Sequence, residues 1–318
     1  MQRWKYINTF FITLFHIISV YALFEVLFTS THFIRTALFI LFVGDLGGFG
    51  VTAGVHRLWC HRAYKAHYLF RTFLALCFSI AGQNTIYEWV RDHRVHHKFS
   101  DTDADPHNAK RGFWFSHVGW LMMTKHEEVI KNGKVIDMSD VVNDPVVIWH
   151  NRLFIPLKII FCFILPVWAH MIVCNENLRL AIMAQVFLRY AISLNFTWLV
   201  NSAAHLYGDK PFDKDIYPSE NKWVSMCAIG EGWHNYHHVF PYDYKAAELG
   251  NYSLNLTTMV LDFAAYMGWI YNLKEPSKEA IIKVANNKGN GNYSLTLEEL
   301  KKYKLIESPD GNLEGYGY

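Results

Sequence analysis

Four stretches of the chain are apolar enough to cross a membrane, and they occur as two pairs. The first pair covers residues 6–28 and 36–54, on either side of the short segment TSTHFIR; the second covers residues 152–173 and 178–200, separated by CNEN. Each stretch is close to the 20 residues that span a bilayer as a helix. The pattern predicts an all-α integral membrane protein with four transmembrane helices in two hairpins.

Positive charge is distributed unevenly around these spans. Lys and Arg are dense before the first span, between the second and third, and after the fourth, whereas the hairpin turns carry only Arg35 and, beside the second turn, Arg179. The positive-inside rule therefore predicts that both termini are cytosolic. The first span lacks a signal-peptide cleavage pattern, so we expect it to be retained.

This orientation predicts a cytosolic helical cap built from two segments. The expected divisions are an N-terminal tail and first hairpin (1–55), the first part of the cap (56–150), the second hairpin (151–200), the second part of the cap (201–274) and a polar C-terminal tail (275–318). Residues 69–80 are apolar but short, which favours an interfacial or re-entrant helix over a fifth span. The Lys-, Asn- and Gly-rich tail is typical of a solvated, partly disordered segment.

Composition excludes several other classes of protein. The net charge is only +2 and no basic run is interleaved with aromatic residues, which argues against nucleic-acid binding. The five cysteines form no C-x-x-C pair, so neither a disulfide framework nor a thiolate metal site is indicated. Mean hydropathy is only +0.05 although 52% of residues are apolar, because the apolar content is concentrated in the spans.

Histidine is the unusual residue, with 17 copies, and eight of them lie in three sets. Two sets repeat the spacing i, i+3, i+4, which places side chains on one face of a helix. The third set, in HRLWCHR, has the spacing i, i+5, which fits a helix end or ligands to different metals. The sets comprise His93, His96 and His97; His234, His237 and His238; and His56 and His61.

The number of imidazoles narrows the chemistry. Neutral imidazole binds Fe, Zn, Cu and Ni, and a zinc hydrolase needs only about three protein ligands. The clustered histidines exceed the needs of one metal and suffice for two. The sequence has one Glu-x-x-His spacing, at Glu231 and His234, and lacks the two such motifs of ferritin-like proteins, so the pattern favours iron and O₂ chemistry next to a membrane.

Other histidines have simpler explanations. His16 and His170 lie within spans, where pairing with Glu25, Asp45 or backbone is expected rather than catalysis. His107 and His117 fit either hydrogen-bond partners of the metal ligands or plain packing residues.

Four segments carry a family resemblance: HRLWCHR, DHRVHHKFSDTDADPH, NSAAHLYG and GEGWHNYHHVFPYDY. They resemble the signature segments of membrane acyl-CoA desaturases of the stearoyl-CoA Δ9 type, and the similarity extends from about Trp4 to Asn292. The resemblance implies two Fe²⁺ ions, with Asn201 approaching one of them through water. It is also the only source for His205 as a ligand. The implied ligands are His56, His61, His93, His96, His97, His205, His234, His237 and His238.

The resemblance also implies a reaction and a location. Two electrons from NADH, delivered by cytochrome b5 and NADH-cytochrome b5 reductase, and O₂ would introduce a cis double bond, at Δ9, into a saturated long-chain acyl-CoA at the endoplasmic reticulum membrane. Oxidising an unactivated methylene requires a site shielded from water, and a bent tunnel would select the carbons that react.

Matching positions suggest how the substrate is held. The resemblance assigns contacts with CoA to Asn8, Asn84, Arg91, Asp92 and Lys125. It assigns contacts near the thioester to Trp89 and Trp198. It places Gln83, Trp120 and Thr197 around the bend of an acyl tunnel. Taken alone, Arg91 is also explained as a surface charge and Trp198 as an interfacial anchor.

Four positions in this chain depart from the pattern of the family that it resembles, and Asp103, which replaces a histidine, is not at a position of the implied ligands. Thr124 replaces an Arg, which removes one expected phosphate contact. Gly44 and Gly48 stand where relatives carry larger residues at the far end of the tunnel, so we expect a deeper tunnel and longer chains or a shifted double bond. The alternative is that Gly44, Gly47 and Gly48 only permit close helix packing.

Asp45 lies near the predicted middle of the bilayer, where a charge is costly. A hydrogen bond to His16 or His170 is the simplest expectation. The other hypothesis is a tunnel end that receives a polar chain terminus.

Two other functions compete with a desaturase. A fatty acyl hydroxylase on the same iron site shares the first hydrogen abstraction, and a non-catalytic membrane metal-binding protein would only retain the ligands. Metal content separates them, since about two irons per chain favour either enzyme.

Overall fold

The computed structural model describes residues 2–248 and 252–293, and most of them are helical. The main helices are α1 (Tyr6–Thr29), α2 (Phe33–Cys60), α3 (Tyr68–Ala81), α4 (Ile86–Lys98), α5 (Phe154–Cys174), α6 (Leu178–Leu206), α7 (His234–Val239), α8 (Leu256–Tyr266) and α9 (Lys278–Lys288). Shorter helices are Ala109–Arg111, Phe115–Gly119, Trp120–Met122, Glu127–Gly133, Ser139–Val142, Pro145–Arg152, Lys222–Cys227 and Tyr252–Leu254. Strands Lys65–Ala66 and Ile270–Tyr271 pair antiparallel.

Helices α1, α2, α5 and α6 are each long and apolar enough to cross a membrane, which confirms the four expected spans. Large apolar side chains such as Phe10, Phe42 and Trp168 lie exposed on their outer surfaces. Such surfaces are costly in water and favourable in lipid. Helices α2 and α6 also extend beyond the apolar stretches, so that α2 carries His56 and α6 carries His205.

Helix α1 packs chiefly against α6. The small buried residues Ala22 on α1 and Ala184 on α6 share a cluster with Ile40 and Leu180. Because small residues let helix backbones approach closely, van der Waals contact can hold these helices together where lipid supplies no hydrophobic driving force.

Helix α3 runs antiparallel along the second half of α2, an arrangement that depends on glycine. A Cβ atom at Gly50 would lie 2.1 Å from the Phe78 backbone nitrogen, and one at Gly47 would lie 3.0 Å from that of Ala81. Helix α3 ends at Gly82, whose φ of +60° suits a residue without a side chain. The expected short apolar helix at residues 69–80 is therefore present and packed against α2.

Helix α4 begins with a capping box that fixes its orientation. The Thr85 hydroxyl accepts a hydrogen bond from the Glu88 backbone N–H at 3.2 Å and donates one to the Glu88 carboxylate at 3.2 Å. The apolar residues Ile86 and Val90 are buried in the main core cluster. The remaining face of α4 carries the first H-x-x-H-H motif.

Two expectations from the sequence are wrong. The segment after residue 275 is not simply solvated, because α9 buries Ile281, Ile282 and Ala285, two of them against Phe212 and Tyr236. Its polar composition reflects only its outer face. The remainder of the tail, residues 294–318, lies outside the described residues.

The second error concerns Asp45, which pairs with neither histidine. The Nδ1 atom of His16 lies 2.8 Å from the Ile12 carbonyl and its Nε2 lies 3.1 Å from the Asn195 amide. His170 pairs instead with Gln185 at 3.0 Å.

The contact between α2 and α3 provides a stability test. We expect Gly50→Ala to lower the free energy of unfolding by about 1–3 kcal/mol, because the new methyl group would overlap the α3 backbone. Thermal unfolding of the purified protein in detergent would measure the effect. Gly133→Ala is the matched control, since its methyl group would meet Arg91 at an ordinary 3.6 Å. Equal melting temperatures for the two variants would contradict this account of the packing.

Candidate metal centre

All nine histidines singled out from the sequence and the resemblance come together in two adjacent groups. Within each group, one ring nitrogen per residue lies within 4.8 Å of every other. The first group contains His56, His61, His93, His97 and His237. The second contains His96, His205, His234 and His238.

The two H-x-x-H-H motifs each supply both groups. On α4, the i, i+4 pair His93 and His97 belongs to the first group, whereas His96 belongs to the second. On α7 the assignment is reversed, because the i, i+4 pair joins the second group and His237 joins the first. Helices α4 and α7 therefore lie between two neighbouring centres and bridge them, which repeated spacing alone did not reveal.

Local helix geometry explains the remaining pair. Residues Gly50–Cys60 form the π-helical end of α2, and the His61 backbone N–H donates to the His56 carbonyl at 3.0 Å, an i to i+5 hydrogen bond. A π-helix places residues five apart on the same face. The i, i+5 spacing thus brings both imidazoles into one group, which favours ligands to one metal over the alternative of ligands to different metals.

The distances between imidazole nitrogens fit bound metal ions. The Nε2 atom of His237 lies 2.9 Å from that of His56 and 3.0 Å from that of His97. In the second group, the Nε2 atoms of His205 and His234 are 3.1 Å apart. Nitrogens bound about 2.1 Å from one ion lie roughly 3–4 Å apart. These separations therefore match two compact, all-imidazole sites.

The protonation state of the imidazoles also suits metal binding. Burial, reinforced by the neighbouring imidazoles, holds the pKa values of His61, His93, His97, His237 and His238 well below the usual range. Histidine binds metal in its neutral form. The protein therefore presents these nitrogens ready for coordination near neutral pH.

Three carboxylates orient three of the histidines through their Nδ1 atoms. The Nδ1 atoms of His56, His96 and His205 lie 2.8 Å, 2.9 Å and 3.1 Å from a carboxylate oxygen. Their partners are Glu231, Asp105 and Asp101, respectively. Each contact holds the Nδ1 side of a ring and leaves Nε2 for a metal. Sequence reasoning assigned no role to these acids, although all three lie in the histidine motifs.

Glu231 also neutralises a buried arginine. The Arg57 guanidinium, 1% exposed, donates to one Glu231 oxygen at 2.7 Å and 3.1 Å, while the other oxygen faces His56. Although burial alone would raise it, these two neighbours lower the pKa of Glu231 to about 2. An ionised carboxylate therefore links the core of the protein to the first histidine group.

A cavity of about 470 Å³ borders the histidine groups, with His93 and His107 in its wall. Aromatic and aliphatic side chains of α1 and α6 form much of the remaining wall, including Phe11, Phe15 and Leu194. Besides His93, the wall contains eight residues that were expected near the substrate or the metal: Gln83, Asn84, Trp89, Asp92, Trp120, Thr197, Trp198 and Asn201.

The other residues expected to contact CoA lie outside this wall. Asp92 pairs with Arg91 at 2.9 Å and also with Lys125, so the three form one charged cluster at the cavity. Asn8 donates to the Leu121 carbonyl at 3.4 Å. Thr124 pairs with the backbone of Arg3, which ties the N-terminal segment to this region.

A second, smaller cavity of about 60 Å³ lies between α2 and α6, and Gly44, Asp45 and Gly48 line it. Gln83 and Thr197 belong to the walls of both cavities. The Gln83 amide donates to the Thr197 hydroxyl at 3.1 Å and accepts from the Trp89 indole at 2.9 Å. This polar contact marks the place where the two cavities meet.

His107 and His117, whose roles could not be decided from the sequence, have different surroundings. The His107 ring lies 4.4 Å from that of His96, and its Nδ1 is 3.5 Å from Asp105, so it adjoins the second group. His117 bonds instead with Ser202 at 2.9 Å and Asn195 at 3.1 Å. It therefore braces α6 near its break at Ser202.

Replacing Glu231 should weaken metal binding. In Glu231→Gln, Arg57 loses its counter-charge and His56 its orienting carboxylate; breaking such a buried pair costs about 3–5 kcal/mol. Loss of a histidine's outer partner lowers metal affinity about 10- to 100-fold. Titration with Fe²⁺ and thermal unfolding would measure the two effects.

Glu220→Gln is the matched control for that variant. Burial raises the pKa of Glu220 to about 8, so this carboxyl is largely protonated at pH 7 and already resembles an amide. We expect little change in metal affinity or stability. Equal metal affinity in the two variants would contradict the role given to Glu231.

Comparison with known proteins agrees with this geometry. A sequence profile of the fatty acid desaturase family matches residues 31–250. An acyl-CoA Δ9 desaturase of Acheta domesticus is 51% identical over 84% of this chain and 74% of its own length. An acyl-CoA Δ11 desaturase of Spodoptera littoralis is 49% identical over 96% of this chain and 90% of its own length. An acyl-CoA Δ12 desaturase of Acheta domesticus is 47% identical over 91% of this chain and 80% of its own length. The chain belongs to the fatty acid desaturase family.

Proposed function

We propose that this protein is an acyl-CoA desaturase that inserts a cis double bond into a saturated long-chain acyl-CoA. The observation that carries the proposal is the position of the two histidine groups at the wall of a cavity that a long chain could enter. The position of the double bond is proposed as Δ9. Relatives that act at Δ11 and Δ12 are almost equally similar, so a shifted position is the alternative.

Two Fe²⁺ ions are the proposed cofactors. Five imidazoles in one group and four in the other suit two ions, with Asn201 close to the cavity side of the centre. Imidazole ligands suit iron as well as zinc, and the desaturase relatives favour iron. Bound iron would supply the oxidation of C–H bonds by O₂, with electrons from cytochrome b5 and its NADH-dependent reductase.

The residues of the chain would position the substrate and exclude water. Trp89 and Trp198 lie in the cavity wall near the histidines, where their rings can hold the chain beside the metal centre. Gln83 and Thr197 mark the bend, so the length of chain between them and the thioester selects the carbons that react. Asp92 and Asn84 lie in the wall, and the adjoining cations Arg91 and Lys125 suit the phosphates of CoA.

The membrane arrangement is proposed as two hairpins in the endoplasmic reticulum membrane, with both termini cytosolic. The C-terminal ends of α2 and α6 meet at the histidine groups, and the start of α1 lies beside Met122 through the Lys5 backbone. These contacts support a single cap on one side of the membrane, formed by residues 56–150 and 201–274.

Expression in yeast that lacks its own desaturase would test the function. We expect new monounsaturated fatty acids, detected by gas chromatography and mass spectrometry after derivatisation of the double bond. The same measurement gives its position. We also expect about two irons per purified chain, and a His97→Ala variant should produce no unsaturated acid.

The outcome also separates the alternatives. Hydroxylated acids in place of unsaturated ones, from iron-loaded protein, would contradict the desaturase and favour a hydroxylase. Protein that holds zinc and forms neither product would contradict both enzymes.

Chain length provides a second test, directed at Gly44. A side chain there would project toward Ser193 and into the second cavity, since a Cβ atom would lie 3.2 Å from the Ser193 hydroxyl. We expect Gly44→Tyr to lower the yield of products with 18 or more carbons about tenfold or more relative to shorter ones. Phe42→Tyr, on the exposed side of the same helix, is the control. An unchanged product profile would exclude a deeper tunnel at this position.

A further inference from the structure

Asp45 is an unexplained acidic residue in the interior of a membrane span. It follows the start of α2 at Phe33 by about 18 Å of helix, at 1.5 Å per residue. The apolar core of a bilayer is about 30 Å thick, so the carboxyl group lies near its middle when α2 spans it. An ionisable residue at this depth indicates a functional site unless a neighbour satisfies it.

The described residues offer Asp45 no such neighbour. Its carboxyl group makes no hydrogen bond or ion pair with them. Both ring nitrogens of His16 have other partners, and the Nδ1 atom of His170 pairs with Gln185 while its Nε2 atom is buried without a partner. The Ser193 hydroxyl, across the small cavity, is likewise without a hydrogen-bond partner among the described residues. Asp45, which is exposed on the same side of α2 as Phe42, and Ser193 therefore both border the small cavity without satisfying each other.

The rest of this cavity wall is suited to a hydrocarbon chain. Val51, Phe196 and Ile229 provide apolar surface, while Gly44 and Gly48 add no side chain. Glu231 also belongs to this wall, but its oxygens are held by Arg57 and His56, and the Thr52 hydroxyl is held by Thr257. Among the described residues of the wall, the carboxylate and hydroxyl oxygens left available to a ligand are therefore those of Asp45 and Ser193.

The position of the cavity connects it to the acyl chain. The small cavity adjoins the larger one at Gln83 and Thr197. The first histidine group reaches the larger cavity through His93, which lies in its wall. A chain held beside the metal centre and bent at Gln83 would direct its far end toward Asp45.

We propose that Asp45, with Ser193, binds a hydroxyl group at the far end of the acyl chain. The substrate class is a long-chain acyl-CoA hydroxylated at or near its terminal carbon. This inference rests on the proposed desaturase function and specifies its substrate. The hydroxyl donates to the Asp45 carboxyl and accepts from the Ser193 hydroxyl, which satisfies all three groups inside the membrane. An unsubstituted chain leaves the two protein groups unsatisfied, and that difference provides the specificity.

Competition between two substrates tests the proposal. The purified iron-loaded enzyme, with its electron donors, receives equal amounts of hexadecanoyl-CoA and 16-hydroxyhexadecanoyl-CoA, and mass spectrometry measures both unsaturated products. The quantity of interest is the ratio of the two kcat/KM values, hydroxylated over unsubstituted. We expect Asp45→Leu to lower this ratio about tenfold or more. Asp45→Asn, which retains a hydrogen-bonding oxygen, and Ser193→Ala should each lower it less.

The control is Phe42→Leu, a change on the exposed side of α2 that leaves the cavity wall intact, and we expect it to keep the wild-type ratio. An equal ratio in wild type and Asp45→Leu overturns the proposal. A ratio that changes only when the enzyme associates with another membrane protein also overturns the proposal, because Asp45 would then be a contact with that protein. If Asp45→Leu fails to fold, the ratios for Asp45→Asn and Ser193→Ala decide.

Turnover of hexadecanoyl-CoA by the wild-type enzyme reports on the desaturase function separately. Turnover of both substrates without discrimination between them overturns only the proposed hydroxyl site. Loss of all turnover from iron-loaded enzyme overturns the proposed function itself.

Discussion

The structure depends on packing nine imidazoles together so that their nitrogens are directed at two points. For His61, His93, His97, His237 and His238, burial and the neighbouring rings hold the pKa well below the usual range, so these rings pack together without charge that would repel the others or require water. Each of the nine rings still needs its Nδ1 side satisfied or held while Nε2 stays available, and Glu231, Asp105 and Asp101 meet that need for three of the rings. The cost of burying these acids is offset in turn, for Glu231 by Arg57. The network around the candidate metal centre therefore extends beyond the histidines into the core.

This demand accounts for the length and shape of the membrane helices. Helices α2 and α6 continue past their apolar stretches until they reach the histidine groups, and α2 changes to a π-helix over its last turns. That change brings His56 and His61 onto one face. Because α4 and α7 supply histidines to both groups, movement of either helix would disturb both centres together. The centre is thus held by elements from four distant parts of the chain.

The close packing of α3 on α2 connects the membrane region with the cavity. Gly50 permits the contact, and Gly82 ends α3 beside Gln83. Gln83 then bonds to Thr197 of α6 and to Trp89 of α4, so three helices meet where the two cavities adjoin. The same packing therefore sets the backbone contact in the membrane and the position of this junction.

Sequence patterns alone were enough to predict the helical spans and the histidine sets, and the family resemblance added the residues around the cavity. The patterns were enough because apolar run length and i, i+3, i+4 spacing are local properties that one helix expresses without help. The polar composition of the tail gave a wrong prediction for α9. This helix buries one face through a small number of apolar residues, including Ile281 and Ile282, which are surrounded in the sequence by polar ones.

The division of the histidines between two groups, the acids that hold them and the surroundings of Asp45 became visible in the folded molecule and could not be predicted from the sequence. These relations join residues as distant as His56 and His237, and they depend on where helices cross. Helix spacing specifies the direction of a side chain from its own axis. The distance to a side chain on another helix follows from the packing of the whole molecule.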